Sequence, residues 1–477
     1  MAGSPDARAA TQGAVASTVL MAASRSLAFL LIVVATRNIE TEGVARYSVV
    51  LAAATMCGIL ADAGTSTAIT RLVSRAPDRA PAVLGGTLLA SGLAGLVMYG
   101  LGFAYFAGTN TITTPGDWAV GGLQVVGAAV LSSLTAALAG HGELVRRAWV
   151  QFTAQAVSFG GGAVVLAAGG TVRWALAALA AGPVFGIVAS IPGIFAVGAW
   201  PARLTIDRGE VRDLVHHSLP FAALAGMAVI VSRADLLLLA VLSDAAETTR
   251  YELAVRAIDS TSFVTLALAT PAVFLLSRRL AVGDVEAAQR AFDVLTHTMF
   301  VLGVGLSALV APLATQLSRV AYGSAYGSSG RPLAVLGSVA WATLLVAALG
   351  GLLTSSESPR KVVPLGVLML VINGVLVAAL LPPFEAVGAA VATAITQVLA
   401  VGIYARVALQ LTGVRMRPPA LRVVASGLVA AAAAWVTRDL PLFLPMALAL
   451  GLYASGLLAT GAVDRHDVGR VRQLLAR

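Results

Sequence analysis

Residues Ala14–Ala35 read AVASTVLMAASRSLAFLLIVVA, an apolar or small run broken by one charge, Arg25. A helix rises about 1.5 Å per residue, so this run is about 33 Å long and can cross a bilayer core of about 30 Å. Its residues do not alternate apolar and polar with period two, which excludes a strand of a membrane barrel. The rest of the chain repeats the pattern. With 58% hydrophobic and 12% charged residues and a mean hydropathy of +0.88, it has too little polar surface for a soluble domain.

Thirteen further runs of similar length follow, at Tyr47–Ile69, Ala82–Ala107, Trp118–Ala139, Trp149–Ala168, Trp174–Val197, Leu219–Leu242, Leu253–Leu276, Met299–Leu317, Leu333–Leu353, Val362–Leu381, Ala386–Leu411, Leu421–Val436 and Leu442–Ala462. The expected fold is an all-α polytopic membrane protein of about fourteen transmembrane helices. The polar start, Met1–Gln12, is unlike a cleavable signal, so the first run is expected to be a permanent span.

Arginine sets the expected orientation. With the N-terminus placed in the cytoplasm, the inner loops hold Arg71, Arg75 and Arg79, then Arg146 and Arg147, Arg203, Arg208 and Arg212, Arg278, Arg279 and Arg290, Arg360 and Lys361, and Arg415, Arg417 and Arg422. Outer loops hold mostly one each: Arg37, Arg46, Arg173, Arg250, Arg319, Arg331 and Arg438. This asymmetry places both termini in the cytoplasm. The net charge of +9 is then explained by anionic lipid heads, and nucleic acid is not expected as a partner. Cys57, the lone cysteine, sits within the second run, which leaves neither a disulfide framework nor a thiolate metal site.

An internal repeat organises the runs. EGVARY (Glu42–Tyr47) is answered by ETTRY (Glu247–Tyr251), and TRLVSR (Thr70–Arg75) by FLLSRR (Phe274–Arg279), with Tyr47/Tyr251 and Arg75/Arg279 each 204 residues apart. Ser24-Arg25 and Ser232-Arg233 form a third match at an offset of 208. The expected organisation is a six-helix lobe over 1–200, a basic cytoplasmic linker over 201–217, a second lobe over 218–411, two added helices over 412–463 and a cytoplasmic tail over 464–477. Lobes of equal topology are related by an axis along the membrane normal, with a substrate path between them.

Embedded ionisable residues carry the chemistry, because a charge near the bilayer centre costs about 2.5–3.5 kcal/mol on insertion scales and normally faces a cavity or a partner. Arg25 has no acidic residue within a helical turn, and Arg233 has Asp235 only two residues on, which is off its face. Both are expected to line a cavity, where guanidinium groups suit a phosphate bidentately. Glu252, Arg256 and Asp259 follow i, i+4, i+7 spacing along one stripe, either a third cavity cation with coupling carboxylates or a structural ion-pair ladder. Asp62 is either a gate or coupling group or a helix-ending one. Arg406 is expected to snorkel inward. Gln151 and Gln155, and Thr393, Thr396 and Gln397, either hold helices together or line a path for sugar hydroxyls.

No catalytic or metal constellation is present in the sequence: His141, His216, His217, His297 and His466 form no HExxH, and no phosphate-cradling GxxxxGK[ST] occurs. No cofactor and no enzymatic activity are expected. Gly160-Gly161-Gly162 falls within a helix and reads as packing.

Several segments then carry a family likeness: ILADAGTSTAITR (Ile59–Arg71), ADLLLLA (Ala234–Ala240), AYGSAYG (Ala321–Gly327), PFEAVGAAVATAI (Pro383–Ile395) and the tail after the last run. In order and spacing the chain resembles the polysaccharide biosynthesis proteins, oligosaccharide-lipid flippases of the O-antigen type within the multidrug/oligosaccharidyl-lipid/polysaccharide exporter superfamily. The resemblance implies two lobes in a V, alternating access, and an undecaprenyl-diphosphate-linked sugar unit as substrate. It also implies a bacterial plasma-membrane location, with membrane lipids, a polysaccharide polymerase or glycosyltransferases as partners. Arg25 looks like the helix-one arginine of the related lipid II flippases, whose motif also reads Ser-Arg. Ala35-Thr36-Arg37 departs from that pattern where further cavity cations are expected, favouring a polysaccharide-unit flippase. A cation-coupled multidrug antiporter of the same superfamily is the alternative, and a membrane polymerase or ligase a more distant one.

Overall fold

A computed structural model describes residues 5–62, 64–109, 111–201, 233–261, 272–273, 275–280, 282–355, 359–417 and 421–462, which are all-helical with short connections. The helices are α1 (Pro5–Asn38), α2 (Thr41–Asp62), α3 (Thr65–Arg75), α4 (Ala80–Gly108), α5 (Pro115–Gly121), α6 (Leu123–Gly140), α7 (Leu144–Gln155), α8 (Gly162–Ala167), α9 (Val172–Ala196), α10 (Ala245–Asp259), α11 (Val285–Tyr322), α12 (Gly330–Ser338), α13 (Ala340–Ser355), α14 (Pro359–Thr412), α15 (Leu421–Val436) and α16 (Phe443–Ala459). The chain forms two compact units, Met1–Thr249 and Arg250–Arg477. All but the first residue of the linker expected at 201–217, Ser232 of the Ser-Arg repeat and Phe274 of FLLSRR lie outside the described residues, as does the tail expected over 464–477.

Twelve of the fourteen expected spans have helical counterparts among the described residues, and of the other two, residues 233–242, α10 and short pieces near 272–280 are described. Eight described helices are long and apolar enough to cross a membrane, and α12 with α13 makes a ninth, bent by 48°. One of the eight, α14, contains two expected spans. It breaks at Glu385, just after Pro382-Pro383, where the backbone reaches φ 51°, ψ −131°. A proline pair cannot supply helical N–H donors, so the chain turns there.

The second expected span is also divided. Gly64, at φ 72°, ends α2 and starts α3, and a left-handed backbone is one that glycine adopts without a Cβ clash. Beyond it α3 places Ile69 and Val73 in a core with Leu84 of α4, Leu134 and Leu138 of α6 and Ile194 of α9. Thus α3 packs into the first bundle and fastens one of its ends.

The opposite end of that bundle is tied by charge. Thr114 and Asp117 cap α5 reciprocally, a capping box in which Asp117 Nα–H donates to the Thr114 hydroxyl and the Thr114 N–H to the carboxylate. The Asp117 carboxylate is fully buried and also receives Arg46 Nε and Nη2 of α2 at 2.9 and 2.7 Å and Arg173 Nε of α9 at 3.4 Å. Three helices therefore meet on one carboxylate. Arg46 and Arg173, read from sequence as isolated outer-loop charges, share this counter-ion.

In the second unit α11 is the central post. Its 38 residues run about 57 Å, longer than a bilayer core. The polar first turns hold the chain after α14: Gln289 exchanges two hydrogen bonds with the Arg415 backbone at 2.7 Å each, and Asp293 pairs with Arg417 at 3.3 Å. Farther along, α16 docks through Tyr453 Oη donating to the Val301 carbonyl at 2.6 Å.

Removing the Asp117 carboxylate would leave two arginines at a packed helix junction without their acceptor, a change that costs about 3 kcal/mol when the remaining charges are buried. Arg173 is largely exposed and can be solvated, so the cost is expected to fall below that, at about 1–2 kcal/mol. Asp117→Ala should accordingly lower the midpoint of thermal unfolding in detergent, and Asp117→Asn should lower it less. An unchanged midpoint for Asp117→Ala would show that the three-helix tie is dispensable.

Candidate functional site

Arg25 lies within α1, a helix unbroken from Pro5 to Asn38. The flanking hydroxyls turn back on their own helix, Ser24 Oγ to the Leu20 carbonyl at 2.9 Å and Ser26 Oγ to the Ala22 carbonyl at 3.0 Å. Both hydroxyl protons are thus spent within α1. Arg25 is exposed on the surface of the first unit and has no hydrogen-bond or ion-pair partner among the described residues. A planar donor array is thus displayed with its hydrogen-bonding capacity unspent.

Arg233 begins the described stretch 233–261 and is half-buried, while Asp235 is almost fully buried and accepts the Leu236 N–H at 2.8 Å. Arg25, Arg233, Asp235 and Asp62 all belong to the first unit, and Glu252, Arg256 and Asp259 to the second.

The α10 stripe resolves in part into an ion pair. Arg256 Nε donates to Glu252 Oε1 at 2.6 Å, with Glu252 1% and Arg256 9% exposed. This pair favours the structural-ladder alternative for these two residues. Two tyrosines brace the same helix: Tyr322 Oη donates to the Leu253 carbonyl at 2.9 Å, and Tyr251 Oη lies 3.3 Å from Thr393 Oγ1 of α14. Asp259 is half-buried at the end of α10. Thr396 accepts from Asn373 Nδ2 at 3.4 Å, so this threonine serves helix packing.

Asp62 ends α2 within a nest of hydroxyls. Ser132 Oγ of α6 donates to Oδ1 at 2.6 Å, Ser66 Oγ of α3 to Oδ2 at 2.8 Å, and Thr65 Oγ1 approaches Oδ1 at 3.4 Å while donating to the Asp62 carbonyl at 2.7 Å. No arginine pairs with it among the described residues. Its half-buried carboxylate links α2, α3 and α6 through neutral donors, a geometry compatible with both the helix-ending and the gate alternatives. Ser132 carries no sequence signal of this role, because it becomes a neighbour only when α6 packs on α3. Asp117 had one, the Thr-Pro-Gly-Asp capping pattern at Thr114–Asp117.

Helix five of the sequence reading departs from regular geometry. Between α7 and α8, residues Ala156–Gly161 form a π-helical turn, and the glycine run lies across its end. Gln155 is exposed immediately before it.

Comparison with known proteins agrees with this architecture. The family model described as polysaccharide biosynthesis protein matches residues 10–274. An inward closed structure of the lipid II flippase MurJ is similar with a TM-score of 0.71 and 12% identity, covering 93% of this chain and 98% of that one. An inward-facing multidrug resistance MATE family transporter of the MOP superfamily aligns with a TM-score of 0.64 and 14% identity over 82% of this chain and 96% of the other. A MOP superfamily transporter from Pyrococcus furiosus, described as having a binding pocket of reverse polarity, gives 0.56 and 14% over 84% and 96%. At these identities the likeness is one of fold. No curated protein sequence matches the chain.

Breaking the α10 pair one-sidedly should be costly. Glu252→Ala removes the carboxylate to which Arg256 Nε donates and is expected to destabilise the second unit by about 1–3 kcal/mol, whereas Glu252→Leu with Arg256→Met should recover most of that loss. Unfolding in denaturant, followed for the single and double variants, reads the difference. Equal loss in both would show that the pair is not the source of the effect.

Proposed function

Since the chain belongs to the polysaccharide biosynthesis protein family, we propose that it is a flippase that moves undecaprenyl-diphosphate-linked oligosaccharide units across the bacterial plasma membrane by alternating access, for surface polysaccharide assembly. The single observation that carries the reading is Arg25: a guanidinium within a membrane-spanning helix, exposed on its bundle and without an intramolecular counter-ion among the described residues. Such a charge is retained at a cost that a ligand of opposite sign offsets. A diphosphate offers two adjacent anionic centres for bidentate hydrogen bonds.

In this reading Arg25 and Arg233 hold the diphosphate of the lipid-linked sugar while the polyprenyl chain stays in the hydrocarbon. Arg256 is held by Glu252 and contributes only in a state that opens that pair. Asp62, Asp235, Glu252 and Asp259 act as gate or coupling groups. The protein is a transporter and not an enzyme, both termini lie in the cytoplasm, and membrane lipids with a polymerase or glycosyltransferases are its partners.

The Asp62 nest supports a second reading, a cation-coupled multidrug antiporter. A carboxylate served by hydroxyls, without an arginine partner, presents hard oxygen atoms to a proton or a small cation. The flippase reading is preferred because a displayed, unpaired arginine attracts an anion and repels a drug cation.

Purified protein in nanodiscs should bind undecaprenyl-diphosphate-linked sugar in competition with inorganic diphosphate. Losing one charge-assisted contact of about 1.5–3 kcal/mol, Arg25→Ala should weaken that binding by at least tenfold without lowering membrane insertion. Saturable binding of an organic cation that requires Asp62 and ignores Arg25 would transfer the assignment to the antiporter.

A further inference from the structure

Within α9, Pro183 has no N–H to give the carbonyl of Leu179 four residues earlier, and its ring crowds that oxygen. Leu179 is fully buried, so its carbonyl has no access to water. The vacancy is filled from another helix: Ser158 Oγ, itself 4% exposed and inside the π-helical turn Ala156–Gly161, donates to the Leu179 carbonyl at 3.1 Å. The approach requires Gly182, where an added Cβ would stand 1.9 Å from Ser158 Oγ and 2.4 Å from the Ala154 carbonyl. On its other side the Pro183 ring fits against Gly127 of α6, whose added Cβ would be 2.8 Å from it. The irregular turn and the proline are therefore two halves of one junction.

That junction also carries α1. Leu31, fully buried, occupies the space left by Gly162 at the end of the π turn, where an added Cβ would be 2.6 Å from its Cδ1. Leu27 faces Gly160 at 3.8 Å by the same measure. Arg25 is two residues before Leu27. A π turn places an extra residue in the helix and widens it locally, so the surface on which α1 rests depends on that turn staying formed.

We propose that Ser158 is a positioning residue for anion binding: by donating to the carbonyl that Pro183 strands, it holds the π turn against α9 and thereby sets where α1 presents Arg25. The inference rests on the reading of Arg25 as the diphosphate-binding group. Ser158 makes no contact with substrate in this scheme and acts only through the packing of α7, α8, α9 and α1.

The test is a double-variant cycle on the full-length protein in nanodiscs, with undecaprenyl diphosphate as the probe and thermal unfolding measured alongside. Ser158→Ala strands the Leu179 carbonyl and should weaken binding roughly five- to tenfold, in the range of couplings carried through packed helices, while lowering the unfolding midpoint. Pro183→Ala supplies a backbone N–H to the same oxygen, so Ser158→Ala with Pro183→Ala should recover most of both losses. Recovery of this kind does not follow from a merely space-filling serine. Should Ser158→Ala not survive purification, Ser158→Cys keeps the volume with a much weaker donor and serves in its place. If Arg25→Ala abolishes binding but Ser158→Ala leaves it unchanged, or if Pro183→Ala gives no recovery, the positioning role is rejected and the role of Arg25 stands. If Arg25→Ala itself leaves binding intact, the diphosphate reading fails and this inference with it.

Discussion

Hydrocarbon offers a polar group no hydrogen-bond partner, and each buried donor or acceptor left alone there costs several kcal/mol. The irregular features of this protein follow from that rule. Pro183 strands the Leu179 carbonyl and Ser158 reaches across to it. Serines and threonines in the helices mostly bond back to a carbonyl three or four residues earlier, as Ser24, Ser26, Thr55 and Thr87 do. Asp117 is wrapped by two arginines and Thr114, and Glu252 by Arg256. Arg25 is conspicuous against this background because the same accounting leaves its guanidinium open.

The sign of the open charge decides which solutes such a membrane protein can favour. An arginine keeps its proton at any physiological pH, so a site built on it is permanently cationic and has geometry as well as charge to offer an anion. A carboxylate among hydroxyls, as at Asp62, is different: it presents oxygen atoms held by neutral donors from α3 and α6. One chain carries both a displayed arginine and a carboxylate among hydroxyls, set on different helices. The two readings of function differ in which of these contacts the transported molecule.

Glycine and proline carry much of the shaping. Gly64 and Glu385 place breaks where a plain run of apolar residues would read as continuous helix or as a loop. The Gly160-Gly161-Gly162 run, read as packing, serves packing against Leu27 and Leu31 and also belongs to a change of helical pitch. A sequence shows that glycine is present. Whether it permits a close approach, a left-handed turn or a widened helix depends on the neighbour that meets it.

The apolar character of the spans, the all-α class and the helical spacing of Glu252 and Arg256 were legible in the sequence, because crossing a bilayer imposes a length and a hydropathy that local composition must satisfy. The family likeness was legible too, in ordered motifs such as Ile59–Arg71 and Pro383–Ile395. Tertiary structure alone decided that Arg46 and Arg173 converge on Asp117, that Ser132 serves Asp62, and that Ser158 donates to the carbonyl that Pro183 strands within α9. The partners in these contacts are 71, 56, 70 and 21 residues apart in the chain; hydrogen bonds act over about 3 Å, and such proximity is created when helices pack, not when residues follow one another.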